Sequence, residues 1–336
     1  MGVKKRIGIP RALLYYKYFP FWKTFFEELG MEVVASGKST KELLHEGNMY
    51  AIDEICIPLK LFYGHIKDVL RKNIDYIFIP RYVSISPETY MCPKFLALPD
   101  MVRATVNGLP PVLEMSVDMK KKPLFISAYE TGRQLDKPLR LIKRAYGKAA
   151  DSQSFFIKAM EKGYPFEEAL ALAERAREDV PEKSAPGDAK AVIALIGHGY
   201  NIHDSFINMD ILKKLEKMEA APVVIENLPS EIFDEGETNI SRSLKNYWGN
   251  EEEILSALNY LFGQKYVDGI IFLCSFCCGP DSLIDEITTR NAKTRGIPYT
   301  CVVLDEHAGQ AGLITRIESF VEMVVMRKMA KEEAGC

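Results

Sequence analysis

The 336-residue chain is 47% hydrophobic and 26% charged, the balance of a soluble protein with core enough for two ordinary domains. Its formal net charge is −3, and apart from Lys4, Lys5, Arg6 and Lys120, Lys121, Lys122 its basic residues are scattered, so no basic field draws nucleic acid. No apolar run approaches the roughly 18 residues of a membrane span, and the stretch after Arg6 is too short for a signal peptide; the expected compartment is the cytoplasm.

In chain order, 6–9 is a short apolar strand ended by Pro10, and 19–29 is an aromatic, amphipathic helix stopped by Gly30. Phe19, Phe21, Trp22, Phe25 and Phe26 have the helical spacing of a core stripe, not of a nucleic-acid platform. Strand 32–35, helix 59–71 and strand 76–79 follow, the last closed by Pro80, and 124–127 reads as another strand. Residues 151–179 are helical by composition, and 181–188, PEKSAPGD, has the character of a linker. Beyond it come strand 191–196, helix 211–218, strand 222–226, helix 251–262, strand 269–273, helix 281–291, strand 299–304 and helix 313–329.

Apolar strands alternating with helices imply parallel sheets covered on both faces. The expected fold is α/β, with two doubly wound, flavodoxin-like (Rossmann-like) domains at 1–150 and 189–336, joined by a helical connection and linker over 151–188. In such sheets ligands gather beyond the carboxyl ends of the strands. The cysteine loop after strand 269–273 lies at such an end, and so does Asp305-Glu306-His307 after strand 299–304.

Seven cysteines in a reducing compartment argue against structural disulfides, and Cys336 at the terminus is set aside. Cys56 stands in DEICIPLK, Cys92 in YMCPKF, and Cys274, Cys277 and Cys278 in LCSFCCGPDS. Thiolates suit iron–sulfur clusters, zinc or copper(I). Structural zinc sites draw on closely spaced pairs, which Cys56 and Cys92 lack; single cysteines from separate loops fit a cluster wedged between domains better. A vicinal redox pair would also resemble Cys277-Cys278, and Cys301, inside TCVVLD, reads as a small core residue. His307 with Glu306 is a candidate for donating a proton or binding a carboxylate, with Arg316 and Glu318 near in sequence; the alternative is a network fixing the loop. Arg11, after Ile9-Pro10, could steady a negative cluster or substrate, or pair with a carboxylate. Gly197-His198-Gly199-Tyr200 is read as a plain tight turn.

These residues sit in strings that resemble the 2-hydroxyacyl-CoA dehydratase superfamily, and within it the acyl-CoA dehydratase activase-related proteins. The strings are IGIPRALLYYKYFPFW, FFEELGMEVV, DEICIPLKLFYGHI, MCPKFLALPDMV, FCCGPDSL and LDEHAGQAGLITRIESF, in that order. The resemblance implies two flavodoxin-like domains with an iron–sulfur cluster at their interface. It also implies a separate ATP-hydrolysing iron–sulfur activase that supplies single electrons, a small substrate that could be an acyl-CoA, and paired homo- or heterodimeric subunits. The family's ligand pattern falls on Cys56, Cys92 and Cys278, with Cys277 standing where relatives have glycine. One [4Fe–4S] cluster is one possibility. The other is a double-cubane [8Fe–9S] cluster, for which Cys56, Cys92, Cys274, Cys277, Cys278 and Cys301 would supply thiolates. No GxxxxGK[ST] loop occurs, so the ATPase would lie elsewhere. Three functions stay open: a dehydratase-like lyase or reductase, a non-catalytic electron carrier, and a zinc- or disulfide-stabilised binding module.

Overall fold

A computed structural model describes residues 4–175, 179–183, 189–234, 248–264, 267–307 and 309–334. The chain divides into two compact units, one of Met1–Met160, Tyr164–Pro181 and Tyr247–Gly249, the other of Glu161–Gly163, Glu182–Asn246 and Asn250–Cys336. Residues 184–188 of the expected linker lie outside the described residues.

The first unit contains β1 (Arg6–Ile9), β2 (Glu32–Ala35), β3 (Tyr76–Phe78), β4 (Arg81–Ser84), β5 (Val112–Leu113) and β6 (Ser116–Asp118). Its main sheet has the order β2-β1-β3-β5 with every pair parallel, and β4 pairs with β6 in parallel. Pro80 cannot donate to a ladder and divides β3 from β4. The pairing nevertheless runs through: the amides of Ile77, Ile79 and Arg81 donate to the carbonyls of Pro111, Leu113 and Met115 at 3.2, 3.0 and 3.0 Å. The aromatic stripe of helix Tyr15–Glu28 forms the core over this sheet, with Trp22 and Phe26 meeting Phe78 edge-on at ring separations of 5.2 and 5.0 Å.

Helices Lys41–Asn48 and Ile57–Leu70 approach backbone to backbone. A Cβ on Gly47 would fall 1.9 Å from Lys60 O, and one on Gly64 would fall 2.0 Å from Leu43 O. Next to this contact His65 is fully buried, its Nδ1 2.9 Å from Ser36 Oγ and its Nε2 2.9 Å from Ser39 Oγ.

Two expectations need correction here. Residues 124–127 are not a strand but the first turn of helix Leu124–Gln134. Its buried residues, Ser127, Ala128, Thr131 and Gly132, recur at helical spacing, a pattern that four apolar residues alone cannot reveal. The 151–179 helix is two helices, Leu139–Glu161 and Phe166–Glu174. Gly163 adopts φ +81° between them, and Pro165 opens the second. Both pack on the first unit. Phe166 lies against Tyr16 at 5.1 Å and Phe156 at 5.6 Å, and Gln153 donates to Lys17 O at 2.8 Å.

The second unit contains β7 (Ala191–Gly197), β8 (Ala220–Val224), β9 (Gly269–Ser275) and β10 (Tyr299–Leu304) in the order β10-β9-β7-β8, all parallel. Counted among its own strands, each main sheet runs second, first, third, fourth, which fits a flavodoxin-like fold. No helix among the described residues is long and apolar enough to cross a membrane.

Candidate functional site

In the second unit the strand order reverses between β7 and β9, and in such sheets ligands gather beyond the carboxyl ends at that switch point. β7 ends at Gly197, whose φ is +150°; a Cβ there would meet Leu273 O of β9 at 2.6 Å, so only glycine lets the two strand ends stay this close. His198 follows as the N-cap of the short helix Gly199–His203. That helix is fixed by buried amides. Asn201 Oδ1 accepts from Ser275 Oγ at 2.9 Å, and Asn208 Nδ2 donates to the carbonyls of Asn201 and Ile202 at 3.0 and 2.6 Å. The His198 ring stacks on Tyr200 at 4.9 Å.

Two helix N-termini face this ring with acidic groups. Asp281 lies in the first turn of helix Gly279–Arg295, which Cys278 N-caps, and Glu251 in the first turn of helix Gly249–Gly263. A carboxylate is favoured there by the unpaired amides of the turn. His198 Nε2 is 3.0 Å from Asp281 Oδ1 and 3.8 Å from Glu251 Oε1. One donor atom from each of His198, Glu251, Cys278 and Asp281 lies within 4.8 Å of all the others. His198, Glu251 and Asp281 are only 5%, 3% and 0% exposed. Burial works against a charged imidazole, yet the facing Asp281 and Glu251 carboxylates and the Cys278 thiol hold His198 well above its ordinary range. Burial pushes the Glu251 carboxyl up, and it pushes the Cys278 thiol up despite the opposing pull of His198.

The expected site residues are distributed as follows. Cys56 and Cys92 are half-buried in the first unit, as N-caps of helices Ile57–Leu70 and Pro93–Leu96. Cys278 is the third such N-cap, and all three helices carry proline at N1 or N2. Cys274 is buried in β9 and Cys301 half-buried in β10; their thiols interact across the strand pair. Cys277 is exposed with φ +65°. His307 has an 84% exposed side chain, its Nε2 3.5 Å from Glu306 Oε1, and Arg316 is bonded to Cys301 O at 3.0 Å. Arg11 pairs with Glu167 and lies over the rings of Tyr15 and Tyr16.

His198, Glu251 and Asp281 were not legible as a site. His198 looked like a turn residue, and the two acids like ordinary helix starts. The one available signal was their common position at strand ends and first turns on a single rim.

The left-handed conformation of Cys277 costs a non-glycine residue about 1–2 kcal/mol. Cys277→Gly is therefore expected to stabilise the metal-free protein by about 0.5–1 kcal/mol, after the entropy glycine adds to the unfolded chain. Thermal unfolding of the chelator-treated protein measures this; a loss of stability would mean that the Cys277 side chain makes a contact worth more than the strain.

The family model described as CoA enzyme activase uncharacterised domain (DUF2229) matches residues 6–228, more than half of the chain. The chain belongs to that family. The match fits the resemblance to acyl-CoA dehydratase activase-related proteins. Within the CoA enzyme activase domain match lie Arg11, Cys56, Cys92 and His198, whereas Glu251, Cys278 and Asp281 follow its end. No curated protein matches the chain.

Proposed function

We propose that this protein is the cluster-bearing, electron-accepting component of a CoA-thioester dehydratase or reductase system, served by a separate ATP-hydrolysing iron–sulfur activase. Family membership supports the link to CoA enzymes. The observation that carries the cluster reading is the shared setting of Cys56, Cys92 and Cys278, each a helix N-cap followed by proline at N1 or N2. First-turn amides stabilise anionic sulfur, and proline removes one amide that would otherwise need a partner. Such a donor set fits an iron–sulfur cluster held by Cys56, Cys92 and the Cys277–Cys278 pair. When bound, the cluster would supply a low-potential electron to a thioester carbonyl.

The single [4Fe–4S] form is preferred over [8Fe–9S] because Cys274 and Cys301 lie within strands β9 and β10 and lack the helix-N-cap setting shared by Cys56, Cys92 and Cys278. Among the residues expected to touch substrate, His307 is open to solvent beside Glu306 and can exchange a proton with a bound molecule. Arg11, engaged by Glu167, acts by holding the loop after β1. The substrate is a small molecule carried as an acyl-CoA, and the subunits pair as homo- or heterodimers.

Anaerobic purification followed by iron and acid-labile sulfide analysis tests the reading. About four of each per chain are expected, falling together in Cys56→Ser and Cys92→Ser. Colourless protein with stoichiometric zinc and no sulfide would overturn it.

A further inference from the structure

We propose that His198, Glu251, Cys278 and Asp281 form a binding site for one divalent transition-metal ion of the zinc or ferrous class, within the second unit. The inference goes beyond the cluster reading: it draws on neither Cys56 nor Cys92, and it shares Cys278 with that reading, so the ion occupies the site in the cluster-free protein.

The geometry is that of a metal cage slightly expanded. Donors at zinc-bonding distance in a tetrahedron stand about 3.5 Å apart. Here the four donor atoms lie within 4.8 Å of one another, with His198 Nε2 at 3.0 and 3.8 Å from the two carboxylates. Closing on an ion needs side-chain shifts of about an ångström. The polar atoms are also incomplete without one. Asp281 Oδ2 and Glu251 Oε2 are buried with no hydrogen-bond partner, and the ion pairs of both carboxylates are with the same imidazole. Two carboxylates buried this deeply and sharing one histidine leave lone pairs without a hydrogen bond, which is costly in a buried setting. A dication among the four donors would satisfy them at once.

The donor set selects the kind of ion. One imidazole, one thiol and two carboxylates are borderline donors, suited to Zn²⁺, Fe²⁺ or Co²⁺ rather than to the all-oxygen shells of Mg²⁺ or Ca²⁺. Each donor is fixed by a rigid element. His198 closes β7, Glu251 opens helix Gly249–Gly263, and Cys278 and Asp281, three residues apart, share the first turn of helix Gly279–Arg295.

The test is titration of the full-length chain, stripped by a chelator, with Co²⁺. One equivalent is expected to give the intense visible bands of tetrahedral cobalt and a thiolate charge-transfer band, both displaced by equimolar Zn²⁺. Cys278→Ser should abolish the charge-transfer band, and His198→Gln, Glu251→Gln and Asp281→Asn should each weaken binding at least about tenfold. The double variant Cys56→Ser/Cys92→Ser, which cannot hold the proposed cluster, should bind cobalt unchanged. Circular dichroism identifies any variant that fails to fold, and the isosteric Glu251→Gln and Asp281→Asn provide independent readings. Absence of the cobalt spectrum, its survival in Cys278→Ser, or its loss in the Cys56/Cys92 double variant would overturn the site. Failure of the cluster reading would appear instead as missing sulfide with cobalt binding intact.

Discussion

Gly64→Ala is expected to destabilise the first unit by about 3 kcal/mol or more, among the largest effects of any single methyl group in this chain. The added carbon would lie 2.0 Å from Leu43 O, a backbone atom that cannot turn aside as a side chain would. Relief requires helices Lys41–Asn48 and Ile57–Leu70 to move apart, which opens the buried seam containing Leu43, Leu44, Leu61 and His65. Gly47→Ala meets Lys60 O at 1.9 Å and should behave alike. Helix propensity alone would give the opposite sign, since alanine is favoured over glycine by about 1 kcal/mol inside a helix. Gly147→Ala isolates that term: Gly147 lies in helix Leu139–Glu161 with nothing within 4 Å of an added Cβ, and its replacement should stabilise. Urea unfolding followed by the fluorescence of Trp22, which is buried in the first unit, compares the three. A Gly64→Ala midpoint equal to or above that of the parent would disprove the close approach. Because Cys56 N-caps Ile57–Leu70, the same variant should also disturb the position of that cysteine.

Acid is expected to weaken the first unit well above the pH at which carboxylates ordinarily protonate. His65 is buried between two serine hydroxyls, and burial, reinforced by the positive charges of Arg11 and Lys72, lowers its pKa from 6.5 to about 3, with Asp68 opposing. Between those two values the unfolded chain binds a proton that the folded chain refuses. Stability from this residue is therefore complete above about pH 6.5 and declines as pH falls toward 3, by up to about 4–5 kcal/mol. His65→Gln keeps hydrogen-bonding capacity toward Ser36 and Ser39 without an ionisable ring. Its stability should fall less steeply than that of the parent between pH 6.5 and 4 in urea titrations. Parallel curves would show that the imidazole protonates freely in the folded state.

Most strands were readable because buried parallel strands are nearly continuous apolar runs. Residues 191–196 and 269–273 lie within β7 and β9, whereas 222–226 is displaced two residues from β8. What failed was local and short. LFIS at 124–127 has no length over which period two and period 3.6 differ, so its helical fate depended on packing around Thr131 and Gly132. The helix Lys41–Asn48 is short and carries little apolar periodicity, and its one clear signal is Thr40, which caps it by accepting from the Leu43 amide at 3.3 Å. In the candidate site, Cys278 stood out by type and neighbours. His198, Glu251 and Asp281 are separated from one another by 53 and 30 positions and became a group only once β7 and β9 lay side by side.

Trp248 forms a parallel bridge with Tyr90, and the Gly249 amide donates to Tyr90 O at 2.8 Å, although 157 residues lie between the bridged pair. The first unit is thus finished by a segment that emerges from the ribosome long after the rest of it. At ordinary elongation rates that delay is on the order of 10–30 seconds. Throughout that interval the Tyr90 carbonyl of the nascent N-terminal half lacks the amide that satisfies it in the finished fold.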